Sequence, residues 1–155
     1  MSERFSTGVA SVASGTDKTL INIFHSLAAP TCRGRISDVV ISGNGTPSDH
    51  SAAFYLGRTT AVGTEGSGLI PNNLDPGGPA GDCDSGLGAF SGEPTYTAAK
   101  QLLTGINVNH RATFRHVAKD RYEMVMTATQ NNGAGLKTSA SSSTQAYGAT
   151  ILFEE

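Results

Sequence analysis

The chain has 155 residues, a formal net charge of −2 and 15% charged residues, whereas an ordinary soluble domain has about 25%. Ser, Thr, Asn, Gly and Ala must therefore cover much of the surface, which makes that surface easy to dehydrate against a partner protein. The sequence contains neither the Lys/Arg stripe of a nucleic-acid-binding protein nor an apolar run near the ~20 residues of a membrane helix.

The first part of the chain predicts four strands. Short β-rich runs at Ser6–Val12 and Lys18–Phe24 flank a segment of turn composition. Arg35–Ser42 carries apolar residues on both faces. Asn44-Gly45 follows it and is the strongest short hairpin signal, because both residues tolerate positive φ. Ala52–Ala61 alternates next and predicts the fourth strand.

Residues 63–94 predict one long irregular segment. They contain four of the six prolines and many of the glycines. A structureless loop of this length inside a compact domain is usually functional or mobile. We therefore expect residues 63–94 to form a long surface loop that lies on the domain or on a neighbouring molecule.

Strand patterns resume after this segment. Period-two alternation predicts strands within Leu102–Val108, Ala112–Val117 and Tyr122–Thr127, and Tyr147–Phe153 predicts a last strand. Ser139–Thr144 is a low-complexity tract that we expect to be a flexible connection.

Two segments leave a helix as an alternative. Thr95–Leu103 and Val117–Met126 carry apolar residues at i, i+3 and i+4. The density of strand signals elsewhere favours strands there as well.

About eight strands without alternating helices predict an all-β chain. We expect one domain over residues 1–155, with residues 1–5 as an N-terminal arm. Eight antiparallel strands and one long inserted loop suit a jelly-roll-like β-sandwich, in which two sheets of about four strands pack face to face.

Cys32 and Cys83 lie far apart and lack the C-x-x-C spacing of redox or zinc motifs. The first ten residues contain no apolar segment of the kind that a secretory signal requires. We therefore expect a chain made in a cytoplasm with two reduced thiols, and a single disulfide is the alternative for a chain that ends up outside a cell.

No assembled catalytic motif stands out. The sequence has no G-x-S-x-G elbow, no phosphate-binding glycine loop and no H-E-x-x-H zinc motif. Asp82, Asp84 and Gly86 resemble half of a calcium loop, but its terminal glutamate is missing and turn chemistry explains the same residues. The sequence therefore predicts no enzyme, no catalytic residue, no cofactor and no metal ion.

Six residues are candidates for contacts with a protein partner: Arg4, Phe5, Arg111, Arg115, Glu154 and Glu155. The first two combine a charge with apolar area near the N-terminus. The two later arginines share one strand face, and the glutamates end the chain. The alternatives are a frayed end for the first pair, a solvated strand face for the arginines and a solvated tail for the glutamates.

Several stretches resemble small structural proteins of tailed bacteriophages. They are Arg4–Gly8, Arg35–Val39, Thr95–Ala98, Asn109–Arg115 and Ala149–Glu155. The resemblance implies a capsid decoration, or cement, protein. Such proteins are β-rich, are frequently jelly-roll trimers and have no enzymatic activity, and they clamp neighbouring major capsid subunits on the outside of the expanded head.

This resemblance sets the functional expectation. We expect a homotrimer, made in the host cytoplasm, that binds the major capsid protein on the exterior of the virion and binds neither nucleic acid nor membrane. One alternative is a phage tail, fibre or head–tail joining protein. Another is a carbohydrate-binding β-sandwich, although the chain has no Trp and its four tyrosines are dispersed.

Overall fold

The computed structural model describes residues 3–13, 15–141 and 144–155, which form twelve β-strands and no helix. The strands are β1 (Arg4–Ala13), β2 (Thr19–His25), β3 (Arg35–Asn44), β4 (Ser51–Ala61), β5 (Ser67–Leu69), β6 (Asn72–Asn73), β7 (Cys83–Leu87), β8 (Thr95–Asn109), β9 (Thr113–Val117), β10 (Met124–Val125), β11 (Gly133–Ser141) and β12 (Ala146–Glu154). The described part of the chain contains no helix with the length and apolar character needed to cross a membrane.

Eight of the strands pair like one long antiparallel hairpin that has been rolled up. β1 pairs with β12, β2 with β11, β3 with β9 and β4 with β8. Rolling brings β12 beside β3 and β11 beside β4, which gives two sheets in the orders β1-β12-β3-β9 and β2-β11-β4-β8. This nested pairing is the topology of a jelly roll, so the predicted all-β sandwich is confirmed.

Four short strands extend this framework. β6 pairs with the start of β1, β10 pairs with β3, and β5 and β7 extend the second sheet beyond β2. Three of them lie within residues 63–94, where one long surface loop was predicted. The structure differs there because β7 joins the sheet and buries Cys83 and Ser85, which are 2% and 0% exposed.

The core lies between the two sheets and is filled by the inward positions of alternating strands. Phe54 of β4 contacts Tyr147 of β12 edge to face, with ring centroids 5.1 Å apart, and so joins one sheet to the other. Phe5 of β1 stacks on Phe153 of β12 at 5.4 Å. All seven residues of β2 are buried, and they comprise four apolar and three polar residues.

Three other local predictions differ from the structure. Both helical alternatives are wrong, because residues 95–103 lie in β8 and residues 117–126 run from the end of β9 through a turn into β10. The expected N-terminal arm is already strand at Arg4 and Phe5, since β12 pairs with both residues, and residues 1 and 2 lie outside the described residues. Of the expected flexible tract at 139–144, residues 139–141 end β11 and residues 142 and 143 lie outside the described residues.

Candidate interaction surface

The pairing of β1 with β12 places four of the six predicted partner residues at one corner of the sandwich. Arg4 lies opposite Glu154, and its Nε is 3.2 Å from the Glu154 Oε1. Glu3 and Glu155 exchange two backbone hydrogen bonds of 3.0 Å beyond the end of this strand pair. The two ends of the described chain are therefore joined to each other.

Two of these residues serve the fold. Phe5 is 3% exposed and packs on Phe153, so its apolar area is not accessible to a partner. Glu155 is half-buried, and its Oε2 accepts a hydrogen bond of 2.6 Å from the backbone N–H of Asp82. Glu155 therefore ties the last strand to the segment before β7 and is not the end of a solvated tail.

The two predicted arginines make separate ion pairs. Arg115 on β9 donates three hydrogen bonds of 2.6–3.2 Å to the carboxylate of Asp38 on β3, and these bonds, followed by charge attraction, raise the pKa of Arg115. Arg111 lies in the turn after β8, where its Nε is 2.9 Å from the Oδ1 of exposed Asp49. The structure therefore does not bring Arg111 to the same site as Arg115.

A shallow depression of about 260 Å³ lies on the outer face of the β1–β12–β3 sheet. Phe5 and Phe153 face the core, so the alternate positions of β1 and β12 face outward. We call the following residues around the depression the outer-face patch: Leu74, Val117 and Leu152, with the ion pairs Arg4–Glu154 and Asp38–Arg115.

The outer-face patch has an apolar centre and a charged rim. Leu74 and Val117 are 51% and 59% exposed, and Leu152 is half-buried between them and the sheet. The rim charges are neutralised within the chain, so a partner surface needs to supply no counter-charge. An apolar centre with a polar rim is the usual composition of a protein–protein interface.

A second group of polar side chains lies at one end of the sandwich. The Nδ1 of His25 is 3.4 Å from the Cys83 Sγ, and the Cys32 Sγ is 3.5 Å from the Asp82 Oδ2. Burial raises the pKa of both thiols, that of Cys32 to about 11, and burial lowers the pKa of His25 against the opposing charges of Glu155 and Asp82. Both thiols and the imidazole are neutral at neutral pH, so this group offers no activated cysteine nucleophile.

Of the residues that resembled half of a calcium loop, Asp84 and Gly86 lie in β7, while Asp82 and nearby Asp75 serve local structure. The Asp82 Oδ2 accepts hydrogen bonds of 2.7 and 2.8 Å from the N–H and hydroxyl of Thr31, which lower the pKa of Asp82. Asp75 accepts one from the N–H of Gly77 at 3.0 Å. Among residues 3–13, 15–141 and 144–155, no group of three or more His, Cys, Asp or Glu side chains is arranged to hold a metal ion. Both cysteines are free thiols.

The chain matches no protein-family model, no curated protein and no solved structure. The fold is a jelly-roll β-sandwich, and the outer-face patch on it has a small apolar centre whose rim charges are paired within the chain.

Proposed function

We propose that this chain is a structural protein of a tailed-bacteriophage particle, which binds the outside of the capsid and stabilises contacts between major capsid subunits. The observation that carries the proposal is the outer-face patch, where exposed Leu74 and Val117 are framed by charges already paired within the chain. The resemblance of several stretches of the sequence to phage structural proteins supplies the class of partner.

The composition of the surface supports this role. Only 15% of the residues are charged, so a flat contact with another protein removes water from few ions. The strand pairing adds support, because β1 pairs with β12 and Glu3 and Glu155 exchange two backbone hydrogen bonds, so both ends of the described chain are held in one sheet.

We expect the bound form to be a homotrimer. The binding free energy that one patch of this size supplies is small, because only three apolar side chains form its centre. Three linked copies that bind together raise the overall affinity through effective concentration. Sedimentation of the free chain gives its mass in solution, and a chain that stays monomeric and does not bind capsids would contradict the proposal.

The direct test uses expanded capsids of the phage that encodes the chain, assembled without it. Co-sedimentation with the purified chain should give a copy number comparable to that of the coat protein, whereas a joining protein would bind in a small fixed number. The double variant Leu74→Asp/Val117→Asp should lose binding by about tenfold or more, since it places two charges in the apolar centre. Leu27→Asp is the matched control, because Leu27 is similarly exposed, at 45%, outside the patch.

A further inference from the structure

One edge of β1 is only partly covered by another strand. β6 pairs with Phe5 and Ser6, and no other described strand pairs with this edge between Gly8 and Ala13. The carbonyl of Arg4 accepts a hydrogen bond of 2.8 Å from the N–H of Leu74 on this side. Because alternate residues of a strand direct their backbone groups to the same side, Gly8 directs its N–H and C=O to the open side as well.

A groove of about 740 Å³ runs along this open edge. All six residues from Gly8 to Ala13 line it. Successive side chains of a strand point to opposite faces, so a groove lined by six successive residues follows the strand edge and not one face of the sheet. The lining includes one charged side chain, Lys18, whose Nζ is 3.5 Å from the Glu93 Oε1.

The opposite wall of the groove is fixed by backbone hydrogen bonds. Residues 87–90 and residues 66–67 form this wall. The N–H of Gly88 bonds to the carbonyl of Leu20 at 2.9 Å, and the N–H of Gly66 bonds to the carbonyl of Gly88 at 3.1 Å. A Cβ at Gly88 would lie 2.5 Å from the Val12 Cγ2, so this wall lies close to the Val12 side chain.

We propose that the edge of β1 from Gly8 to Ala13 binds an uncharged, extended segment of a partner protein as an added strand. The backbone of Gly8 requires hydrogen-bond partners of the kind a strand supplies, and an added strand places alternate side chains over Val9, Val12, Leu87 and Phe90. Because the register shifts between Val9 and Val12, the six residues span less than the roughly 20 Å of a regular six-residue strand.

Two features select this occupant. The groove contains one charge, which already has a partner, so a neutral segment fits it and a charged segment does not. Between Gly8 and Ala13 the edge carries no Lys, Pro or acidic residue, and its protection is limited to the register shift between Val9 and Val12. The added strand continues the line of β6, which already pairs antiparallel with the same edge at Phe5 and Ser6.

The proposal is independent of the capsid role, because it is tested on the isolated chain. The probes are acetylated and amidated six-residue peptides with Ser at alternate positions and Gly, Ala, Val or Leu between them, measured by fluorescence anisotropy. At least one peptide should bind. N-methylation of two of its backbone amides should weaken binding by about thirtyfold, through the loss of two hydrogen bonds, although the side chains are unchanged.

Protein variants locate the site. Ser11→Lys places a charge on the open edge and should weaken peptide binding by about tenfold or more. Gln101→Lys, which adds the same charge to an exposed position of β8 at the edge of the other sheet, should bind like the original chain. Binding by no peptide, or equal binding of the N-methylated peptides, overturns the proposal. So does an oligomer of the original chain that Ser11→Lys disperses, because the edge would then belong to a second copy.

Discussion

Leu136 offers the sharpest test of the core, because it lies in β11, the inner strand that the sequence did not predict. Its cross-strand partners are Ile21 of β2 and Leu56 of β4, and all three side chains are 0% exposed. Leu136→Ala removes a fully buried side chain between two hydrogen-bonded neighbours that cannot easily close the cavity. We expect a loss of about 3–4 kcal/mol in the free energy of unfolding, and a melting temperature lower by about 10 °C.

The measurement is urea unfolding monitored by circular dichroism. The slope of the free energy of unfolding against urea concentration is compared between variants. Leu74→Ala is the matched control, because Leu74 is 51% exposed and should cost under about 1 kcal/mol. An unchanged slope with a lower midpoint for Leu136→Ala alone supports the described core. Equal losses for the two variants would refute the placement of β11 between β2 and β4.

Three further predictions concern polar side chains. Thr59→Val should cost about 1–3 kcal/mol in urea unfolding, because it leaves the buried Asn22 Oδ1 without the hydroxyl that donates to it at 2.9 Å, and an unchanged midpoint would contradict this. The pKa of His25 lies below its ordinary value of 6.5, so the unfolded chain binds more protons. The contribution of His25 to the free energy of unfolding is therefore complete above pH 6.5 and decreases as the pH falls below it. The variant His25→Gln should lose this part of the pH dependence. Cys32 and Cys83 should resist iodoacetamide at neutral pH until urea exposes them, because burial raises both pKa values, and rapid labelling of the folded chain would count against their neutral thiols.

The strands with clear alternation could be predicted from the sequence, and β11 could not. Its Gly, Ala and Lys residues have low β propensity. A Cβ at Gly133 would lie 1.8 Å from the backbone O of Ile23, and one at Gly135 would lie 2.3 Å from the Tyr96 Oη. The close approach of the Ile23 backbone at Gly133 and of the Tyr96 ring at Gly135 therefore requires glycine at both positions. This requirement depends on contacts that a single sequence does not show.

The outer-face patch could be predicted in part. Period-two alternation places Arg115 and Val117 on one face, which the exposure pattern of β9 confirms. Leu74 follows β6, a two-residue strand whose place depends only on its pairing with β1. The sequence predicts Phe5 as a contact residue because it places apolar area beside a charge near the N-terminus, whereas the pairing of Phe5 with Phe153 buries it.

Strand β1 joins the two proposed contact regions. Its first residue, Arg4, belongs to the rim of the outer-face patch, and its open edge begins at Gly8, where the pairing with β6 has ended. Four residues of extended chain separate them by about 13 Å. A partner that covers Leu74 and Val117 can therefore reach the edge with a short extended segment. Two weak contacts linked at this distance reinforce each other through effective concentration. Loss of either contact should therefore lower the affinity for a shared partner by more than the small area of that contact implies.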